Sequence, residues 1–355
     1  MPTSSPMTRA DILRAVIPGS ALPLWVPLLT PYRPDERDVD VARLHRHMQV
    51  VRAHTPLWMI AGSTGDGWDM DDRQFAQVLA ASTDDHVAEL QGRVLFALLG
   101  ETTDAVLSRL HALHGALGTS ATAPFQDNLQ RCIDRGVVGI CVAPPIGEDV
   151  DQLTIAHHVE EIGRHARMPI ALYEIPQITG NRIASETFQA LIAAHEEIIL
   201  FKDSSGEDRL AGEASMLDSP VMVRGFESAY APSLRAGGGD YDGLLLASAN
   251  VFGQELVAIV RATLSGKLDA AARHGVALEQ RVAACFDAVG GVPVGNAFAN
   301  AMRVLDHVMA HGNRVGEVQP PTLFDGTKID PAVVDVVATV LDRSGLRPET
   351  GYLDV

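Results

Sequence analysis

The residue in this sequence best suited to covalent chemistry is Lys202. It closes the apolar run 198–201, and only two other lysines, Lys267 and Lys328, occur among the 28 basic residues. Apolar neighbours disfavour the ammonium form of a lysine, and the neutral amine can attack a carbonyl carbon to form a Schiff base. A lysine at a strand end can equally extend to solvent or pair with a carboxylate such as Asp203. Lys202 is therefore a candidate nucleophile, and its position alone leaves the structural role open.

Two further segments carry hydroxyl groups where predicted strands end. Tyr173 follows the apolar run 170–172, and its hydroxyl suits proton transfer, with packing in the core as the alternative. The segment 62–67 sets Ser63 and Thr64 between glycines, so that backbone N–H groups and hydroxyls could hold a carboxylate. A single glycine-rich turn is weak evidence, and this one lacks the Gly-Lys-Ser/Thr ending of a nucleotide-binding loop.

These segments are expected to meet because short apolar runs alternate with longer helical patterns along the chain. Strands are predicted at 23–29, 57–61, 94–98, 137–143, 170–173, 198–201, 221–224 and 243–247. Eight strands, each followed by a helix, predict an α/β fold of the (β/α)8 TIM barrel type, whose chemistry lies at the carboxyl ends of the strands. The alternative is a doubly wound open sheet, which would need a G-x-G-x-x-G turn where residues 28–31 read Leu-Leu-Thr-Pro.

The barrel is predicted to occupy residues 21–266, after an amino-terminal extension over 1–20. Residues 115–126 are small, polar and proline-bearing, which predicts a loop that interrupts the helix after the third strand, near the barrel mouth or an oligomer contact. From 267 to 355 the pattern is helical, which predicts a carboxyl-terminal helical region and tail packed on the barrel.

Charge and composition narrow the classes of partner. The chain has 45 acidic and 28 basic residues, a net charge of −17, which repels nucleic acid and anionic lipid. It shows neither a secretory leader nor an apolar stretch long enough to cross a membrane, so a cytoplasmic location is expected. Cys132, Cys141 and Cys285 have no C-x-x-C spacing and are expected to be buried, unpaired thiols.

No metal site is predicted. The closely spaced histidines fall on predicted helices outside the barrel mouth and lack a carboxylate partner, which favours solvated positions over metal ligation. These histidines are His111, His114, His157 and His158.

Three segments at strand ends together resemble a known family. They read G-S-T-G-D after the second strand, Y-E-I-P-x-x-T-G after the fifth and F-K-D-S-S-G after the sixth. In this order and spacing they are similar to the motifs of the dihydrodipicolinate synthase and N-acetylneuraminate lyase family of class I, Schiff-base-forming aldolases. Gly225 and the segment 242–250 fit the same pattern, so the resemblance covers about residues 20–310.

The resemblance implies roles for particular residues. Lys202 would form an imine with pyruvate or another 2-oxo acid, Tyr173 would move protons at the reacting oxygen, and Ser63 and Thr64 would hold the carboxylate. The further residues predicted to bind substrate are Gly62, Gly65, Glu174, Ile178, Gly225 and Leu245. Neither a cofactor nor a metal would be needed, and the protein would be a homo-oligomer, either a dimer or a tetramer.

Departures from the family pattern disfavour lysine biosynthesis as the role. The segment 143–146 reads Ala-Pro-Pro-Ile where the synthase branch has Thr-Pro-Tyr-Tyr, and Ile178 replaces an arginine that would hold a carboxylate. Glu174 stands where asparagine is common, and Asp66 where glutamate is common. The second substrate is therefore expected to be neutral or hydroxylated, bonded by Glu174 or by the 115–126 loop.

The sequence thus predicts an aldolase or dehydratase that acts on pyruvate, a related 2-oxo acid or a keto-deoxy sugar acid. The alternative is a non-catalytic 2-oxo acid or sugar-acid binding protein descended from the same family. A metal-dependent aldolase on the same fold would need a cluster of His, Asp and Glu at strand ends, which the sequence does not offer.

Overall fold

The chain folds into a closed barrel of eight parallel strands. The structure is a computed structural model that describes residues 7–34, 36–213 and 219–354. The strands follow one another round the barrel in chain order, and the eighth pairs with the first. They are β1 (Leu24–Pro27), β2 (Leu57–Ile60), β3 (Arg93–Ala97), β4 (Val137–Val142), β5 (Ile170–Glu174), β6 (Ile198–Asp203), β7 (Val221–Arg224) and β8 (Gly243–Leu245). The predicted (β/α)8 TIM barrel is confirmed.

Helices surround the barrel and continue beyond it. They are α1 (Arg9–Val16), α2 (Val41–Arg52), α3 (Asp72–Ser82), α4 (Asp85–Glu89), α5 (Thr103–Leu117), α6 (Phe125–Asp134), α7 (Gln152–Ala166), α8 (Pro176–Thr179), α9 (Ser185–Ala194), α10 (Arg209–Glu213), α11 (Tyr230–Ser233), α12 (Gly253–Leu264), α13 (Leu268–Val289), α14 (Ala297–His311) and α15 (Pro331–Arg343). Among the residues that the structure describes, no helix is long and apolar enough to cross a bilayer.

Both faces of the barrel strands are buried, which explains why the strands read as continuous apolar runs. Successive side chains point to opposite faces. Trp25, Met59 and Tyr173 belong to the apolar cluster that fills the barrel, whereas Val26 and Trp58 belong to the larger cluster between the strands and the helices. The inward-facing residues at the carboxyl ends of the strands are therefore the ones that can reach a common site.

Helix α1 packs at the amino-terminal end of the barrel. Its residues Ile12 and Val16 join the cluster inside the barrel. The backbone N–H of Arg9 donates to Glu196 Oε2 over 2.7 Å, and its side-chain Nε donates to the carbonyl of Ile198 over 2.6 Å. Helix α1 thus seals this end, and the opposite end holds the mouth.

The segment 115–126 lies at the sealed end, so the expected position near the mouth is wrong, and the other expected position, at an oligomer contact, stays a prediction. Helix α5 ends at Leu117, and α6 begins at Phe125. His114 Nε2 lies 3.1 Å from the carbonyl oxygen of His165, and Asn128 Nδ2 donates to the carbonyl of Arg167 over 3.2 Å. His165 and Arg167 lie where α7 ends and the chain turns into β5. The 115–126 loop therefore cannot contact a substrate at the mouth.

Two of the four histidines expected to be solvated are buried instead. His114 bonds to Thr119 Oγ1 over 2.7 Å. His158 bonds to Thr103 Oγ1 through Nδ1 (2.9 Å) and to the carbonyl of Ala143 through Nε2 (3.0 Å). Burial lowers the pKa of His158 to about 4, so the neutral ring is a structural link between α7 and the end of β4.

The three cysteines are buried and unpaired, as predicted. Burial raises the pKa of the Cys132 and Cys141 thiols to about 12 and that of Cys285 to about 11. The thiolate form that reacts with electrophiles is therefore scarce at neutral pH.

The carboxyl-terminal helices are tied to the barrel mouth by a buried ion pair. Helix α14 packs against the turn at 63–65, and its Arg303 forms an ion pair with Asp66 next to that turn. Tyr32 Oη donates to Asp66 Oδ2 over 3.0 Å, and Arg303 Nη1 donates to Asn300 Oδ1 over 3.0 Å. Burial raises the pKa of Asp66, and the guanidinium and the Tyr32 hydroxyl oppose that rise.

Replacing Arg303 by methionine should destabilise the protein strongly. The change leaves Asp66 buried without its cation, and removal of one partner of a buried pair costs about 3–5 kcal/mol. Urea unfolding measures the loss. Arg314→Met is the matched control, because the Arg314 side chain is 58% exposed and its ion pairs with Glu317 and Asp354 should each contribute no more than about 1 kcal/mol. Equal losses in both variants would contradict a stabilising role for the buried pair.

Candidate active site

A cavity of about 350 Å³ opens at the carboxyl ends of the strands. Most of the residues predicted from sequence to act on substrate line it. These are Ser63, Thr64, Tyr173, Ile178, Lys202, Gly225 and Leu245. They come from loops after three different strands and from three of the strands themselves, as expected for the mouth of a TIM barrel.

Lys202 and Tyr173 lie side by side at the floor of this cavity. They are register partners on β6 and β5, and both side chains point into the barrel. Lys202 is 4% exposed, and its Nζ lies 3.8 Å from the centroid of the Tyr173 ring. The next residue, Asp203, faces the outside of the barrel and accepts hydrogen bonds from Tyr241 Oη (2.8 Å) and the backbone N–H of Ser205 (2.8 Å). The amine is therefore turned toward the cavity.

Gly225 leaves room for the lysine side chain. A Cβ atom at this position would lie 2.1 Å from Ser204 Oγ and 3.0 Å from Lys202 Cε. Any side chain here would push Ser204 or Lys202 from its place. Gly225 contributes to the site by the space that it leaves.

The Ser63 hydroxyl joins Tyr173 to Trp68. Ser63 begins a 3₁₀ turn after β2, and its Oγ lies 3.3 Å from Tyr173 Oη. The indole Nε1–H of Trp68 donates to the same Oγ over 3.0 Å. An indole is a donor only, so Ser63 keeps its own proton for Tyr173 or a substrate. Sequence reasoning missed Trp68, although an aromatic residue five positions after Ser63 in the same loop was a signal.

Trp68→Phe should slow turnover by about 2- to 13-fold. The variant keeps an aromatic ring but loses the donor that orients Ser63, and a typical hydrogen bond contributes about 1 ± 0.5 kcal/mol. Steady-state kinetics on the proposed reaction measures the loss. Trp58→Phe is the matched control, because Trp58 donates to the carbonyl of Thr55 outside the barrel (3.0 Å) and should leave turnover per folded molecule unchanged. Unchanged turnover in Trp68→Phe would mean that the indole N–H does not orient Ser63.

Gly62 and Gly65 shape the loop and do not line the cavity. The carbonyl of Gly62 accepts hydrogen bonds from the backbone N–H groups of Gly65 and Gly67, both over 2.9 Å. The carbonyl of Gly65 accepts from Thr30 Oγ1 over 2.8 Å, and a Cβ at Gly65 would lie 2.7 Å from the carbonyl oxygen of Leu28. Both glycines hold Ser63 and Thr64 in place without reaching the space above Lys202.

Glu174 does not reach the cavity, so its expected contact with a second substrate is wrong. Its side chain follows Tyr173 on β5 and points to the outside of the barrel, where it is 2% exposed. Oε2 accepts a hydrogen bond from the backbone N–H of Ile183 over 3.0 Å, and Oε1 lies 3.7 Å from a guanidinium nitrogen of Arg209. Burial raises the pKa of Glu174 to about 7. Its contacts are with the segment before α9 and with the start of α10.

The outer part of the cavity comes from residues that sequence reasoning missed. After β7 it is lined by Phe226 and Glu227, and on the carboxyl-terminal helices by Glu279, Val282, Ala283, Phe286, Asn296 and Phe298. No local motif marks those helical positions, because only the packing of α13 and the start of α14 across the mouth brings them there. Within the described parts of the chain, no group of three His, Cys, Asp or Glu side chains is placed to hold a metal ion.

Comparison of folds finds the same barrel in solved structures. The crystal structure of KD(P)GA from T. tenax has a TM-score of 0.68 at 15% identity, covering 91% of this chain and 98% of that one. YagE, a prophage protein of the dihydrodipicolinic acid synthase family from E. coli K12, solved in complex with pyruvate, has a TM-score of 0.70 at 18% identity, covering 91% of this chain and 98% of that one.

Comparison of sequences gives the family. Residues 96–307 match the sequence model of the Dihydrodipicolinate synthetase family. The 4-hydroxy-tetrahydrodipicolinate synthase of Kineococcus radiotolerans is 27% identical over 311 residues, 88% of this chain and 89% of the relative. The synthase of a Synechococcus species is 24% identical over 257 residues, 72% of this chain and 78% of the relative. The chain belongs to the dihydrodipicolinate synthetase family of class I aldolases and lyases, and the resemblance found in the strand-end motifs is confirmed.

Proposed function

We propose that this protein is a Schiff-base-forming lyase that acts on pyruvate or a related 2-oxo acid. This proposal rests on the position of the buried Lys202 amine, 3.8 Å from the ring centroid of Tyr173. The cavity that holds them is also lined by Ser63 and Thr64. The amine supplies a nucleophile, and the tyrosine and serine supply hydroxyls within reach of one another. Family membership supports the same class of chemistry.

In the proposed reaction the neutral amine of Lys202 attacks the ketone carbon of the 2-oxo acid. The nitrogen gives up its two protons, the carbonyl oxygen takes up two with the Tyr173 hydroxyl as the proposed relay, and the oxygen leaves as water to give the imine. The imine withdraws electrons from the neighbouring carbon, so that a proton or an aldehyde can leave or join there. Loss of a proton there also allows a hydroxyl group to leave from the next carbon. Ser63, Thr64 and the backbone N–H groups of their turn are the proposed binding site for the carboxylate.

The proposed enzyme is an aldolase or dehydratase and not a true dihydrodipicolinate synthase. Ile178 lines the cavity where a carboxylate-binding arginine would be needed. The segment 143–146 offers no hydroxyl to extend a proton relay beyond Ser63, and Trp68 Nε1 occupies one of the hydrogen-bonding positions of that serine instead. Keto-deoxy sugar acids, which carry several hydroxyl groups, are the polar substrates proposed for such an enzyme.

A homo-oligomer, either a dimer or a tetramer, is proposed from family membership. Sedimentation would measure the oligomeric state.

Reductive trapping tests the proposed chemistry. Borohydride reduces an imine to a stable secondary amine, so incubation with pyruvate and borohydride should place an adduct on Lys202, found by peptide mass analysis. Lys267 and Lys328 are exposed and serve as internal controls for non-specific reaction. An adduct confined to those two lysines, or none with any 2-oxo acid, would contradict the proposal. An adduct on Lys202 without turnover of any 2-oxo acid would favour a binding protein.

Ile178→Arg should create activity toward carboxylated aldehydes. The wild type is expected to condense pyruvate with aspartate semialdehyde poorly, because the carboxylate would face an apolar wall. A charge-assisted hydrogen bond contributes about 1.5–3 kcal/mol, so kcat/KM for this aldehyde should rise roughly 10- to 150-fold in the variant. Ile178→Leu keeps the wall apolar and should show no gain. Efficient condensation by the wild type, or no gain in Ile178→Arg, would contradict this account of specificity.

A further inference from the structure

The outer cavity is walled by aromatic rings. Phe226 follows β7, Phe286 lies on α13 and Phe298 lies at the start of α14, and these three residues are termed the aromatic rim. Phe286 and Phe298 meet edge to face, with ring centroids 4.6 Å apart and planes at 81°. Phe226 and Phe298 remain 38% and 48% exposed. Exposed large apolar side chains grouped at the mouth of a cavity are typical of a ligand-binding surface.

Aliphatic side chains extend the same surface inward to the catalytic pair. Ile175 and Ile178 follow β5, and Val282 lies on α13 one turn before Phe286. A substituent that extends from a 2-oxo acid held at Lys202 would therefore pass between aliphatic walls before it reaches the aromatic rim.

The polar side chains of the outer cavity are already bonded to protein groups. Glu227 accepts hydrogen bonds from the backbone N–H of Ser248 (2.8 Å) and from Ser248 Oγ (2.7 Å). Glu279 accepts from the backbone N–H of Ala229 over 2.6 Å. These two carboxylates are therefore engaged in positioning the loops after β7 and β8.

The two amide side chains are engaged in the same way. Gln177 Nε2 donates to the carbonyls of Ser204 and Ser205, each over 3.1 Å. Asn296 Oδ1 accepts from the backbone N–H groups that begin α14, at 2.8 and 3.1 Å. A chain of substrate hydroxyls would find few partners here, and a site that selects hydroxyls needs groups placed to bond them.

We infer that the aldehyde released or added by this enzyme carries an aromatic ring, which binds against the aromatic rim. This inference rests on the proposed function. Aromatic rings prefer edge-to-face or offset contacts with other rings, and three rings of the protein are available for them. A cavity of about 150 Å³ is enough to hold benzene in other proteins. The cavity of about 350 Å³ therefore has room for a ring and a three-carbon oxo acid.

The reaction balances without an oxidant or a further reactant. The pyruvate imine at Lys202 loses a proton from its methyl carbon and becomes an enamine. The enamine carbon forms a bond to the aldehyde carbon, the aldehyde oxygen takes up a proton, and water hydrolyses the new imine. Pyruvate and an aromatic aldehyde thus give a 4-aryl-4-hydroxy-2-oxo acid, and the reverse steps cleave it.

The test compares aldehydes of different chemistry with pyruvate as the common partner. Benzaldehyde, glyceraldehyde and aspartate semialdehyde are assayed with the full-length protein, and product is separated and quantified by chromatography. The kcat/KM for benzaldehyde should exceed that for glyceraldehyde by roughly 10- to 200-fold, the range that differences in apolar contact provide. Preference for glyceraldehyde, or condensation of none of the three, would overturn the inference.

Variants at the rim connect the preference to its residues. Phe286→Ala should lower the ratio of benzaldehyde to glyceraldehyde kcat/KM by roughly 10-fold or more, and Phe226→Ala, at a more exposed site, serves if the first variant does not fold. Phe125→Ala is the matched control, because Phe125 lies at the start of α6 and packs at the sealed end of the barrel. An unchanged ratio in both rim variants would overturn the inference. Trapping of pyruvate on Lys202 is measured in parallel, and its failure would overturn the proposed function instead.

Discussion

The Lys202→Arg variant is expected to form no adduct with pyruvate and borohydride and to show no measurable turnover. A guanidinium stays protonated and cannot attack a ketone, although it preserves the positive charge and much of the length of the side chain. Peptide mass analysis after trapping and a direct assay of turnover measure both effects. Because only 4% of the Lys202 side chain is exposed, circular dichroism and unfolding are compared with the wild type to show that the variant has folded.

Lys267→Arg is the matched control for this result. Lys267 precedes α13 on the surface, and its replacement should leave both the adduct on Lys202 and the turnover unchanged. If the folded Lys202→Arg variant still forms an adduct at another lysine and retains turnover, then Lys202 is not the nucleophile.

Tyr173→Phe is expected to reduce turnover by roughly 10²–10⁴-fold, the usual contribution of a positioned proton-transfer group. Phenylalanine retains the ring on which Lys202 Nζ lies, so the change removes only the hydroxyl that is 3.3 Å from Ser63 Oγ. Imine formation should become slower, because the phenol is the proposed proton relay to the leaving oxygen. It should remain detectable by trapping, since attack by the amine itself does not require the phenol. Steady-state turnover and the rate of trapping, measured on the same preparation, separate the two steps.

Tyr352→Phe controls for the loss of a buried tyrosine hydroxyl. Tyr352 Oη donates to Asp306 Oδ1 over 2.8 Å on the carboxyl-terminal side of the molecule, and its loss should not change turnover per folded molecule. Near-normal turnover in Tyr173→Phe would assign that residue to core packing.

The sequence is sufficient to predict residues whose positions follow from strand ends. Parallel strands in a barrel bring their carboxyl ends together, so the segments holding Ser63, Tyr173 and Lys202 had to meet whatever the helices did. The same geometry excludes Glu174 from the cavity, because consecutive side chains on a strand alternate between faces. Tyr173 and Glu174 therefore could not both point into the barrel. The sequence alone was enough to reject Glu174 as a residue that binds substrate.

Residues brought to the site by distant packing could not be predicted. Phe286 and Phe298 carry no motif, and their place at the mouth depends on how α13 and α14 cross the barrel.

The position of the loop at 115–126, by contrast, could have been predicted from the sequence. A helix that follows a barrel strand runs back toward the amino-terminal end, so the loop after α5 had to lie there, and its small polar residues gave a misleading suggestion of a site.

The buried contact among Tyr32, Asp66 and Arg303 has a consequence for chimeric proteins. Its members come from three widely separated stretches of the chain, and two of them flank the active-site loops while the third lies on a carboxyl-terminal helix. A chimera that takes the barrel from this protein and, from another family member, helices without an arginine at position 303 would inherit a carboxylate without its cation. Exchange of segments within the family should therefore succeed only when these three positions are transferred together.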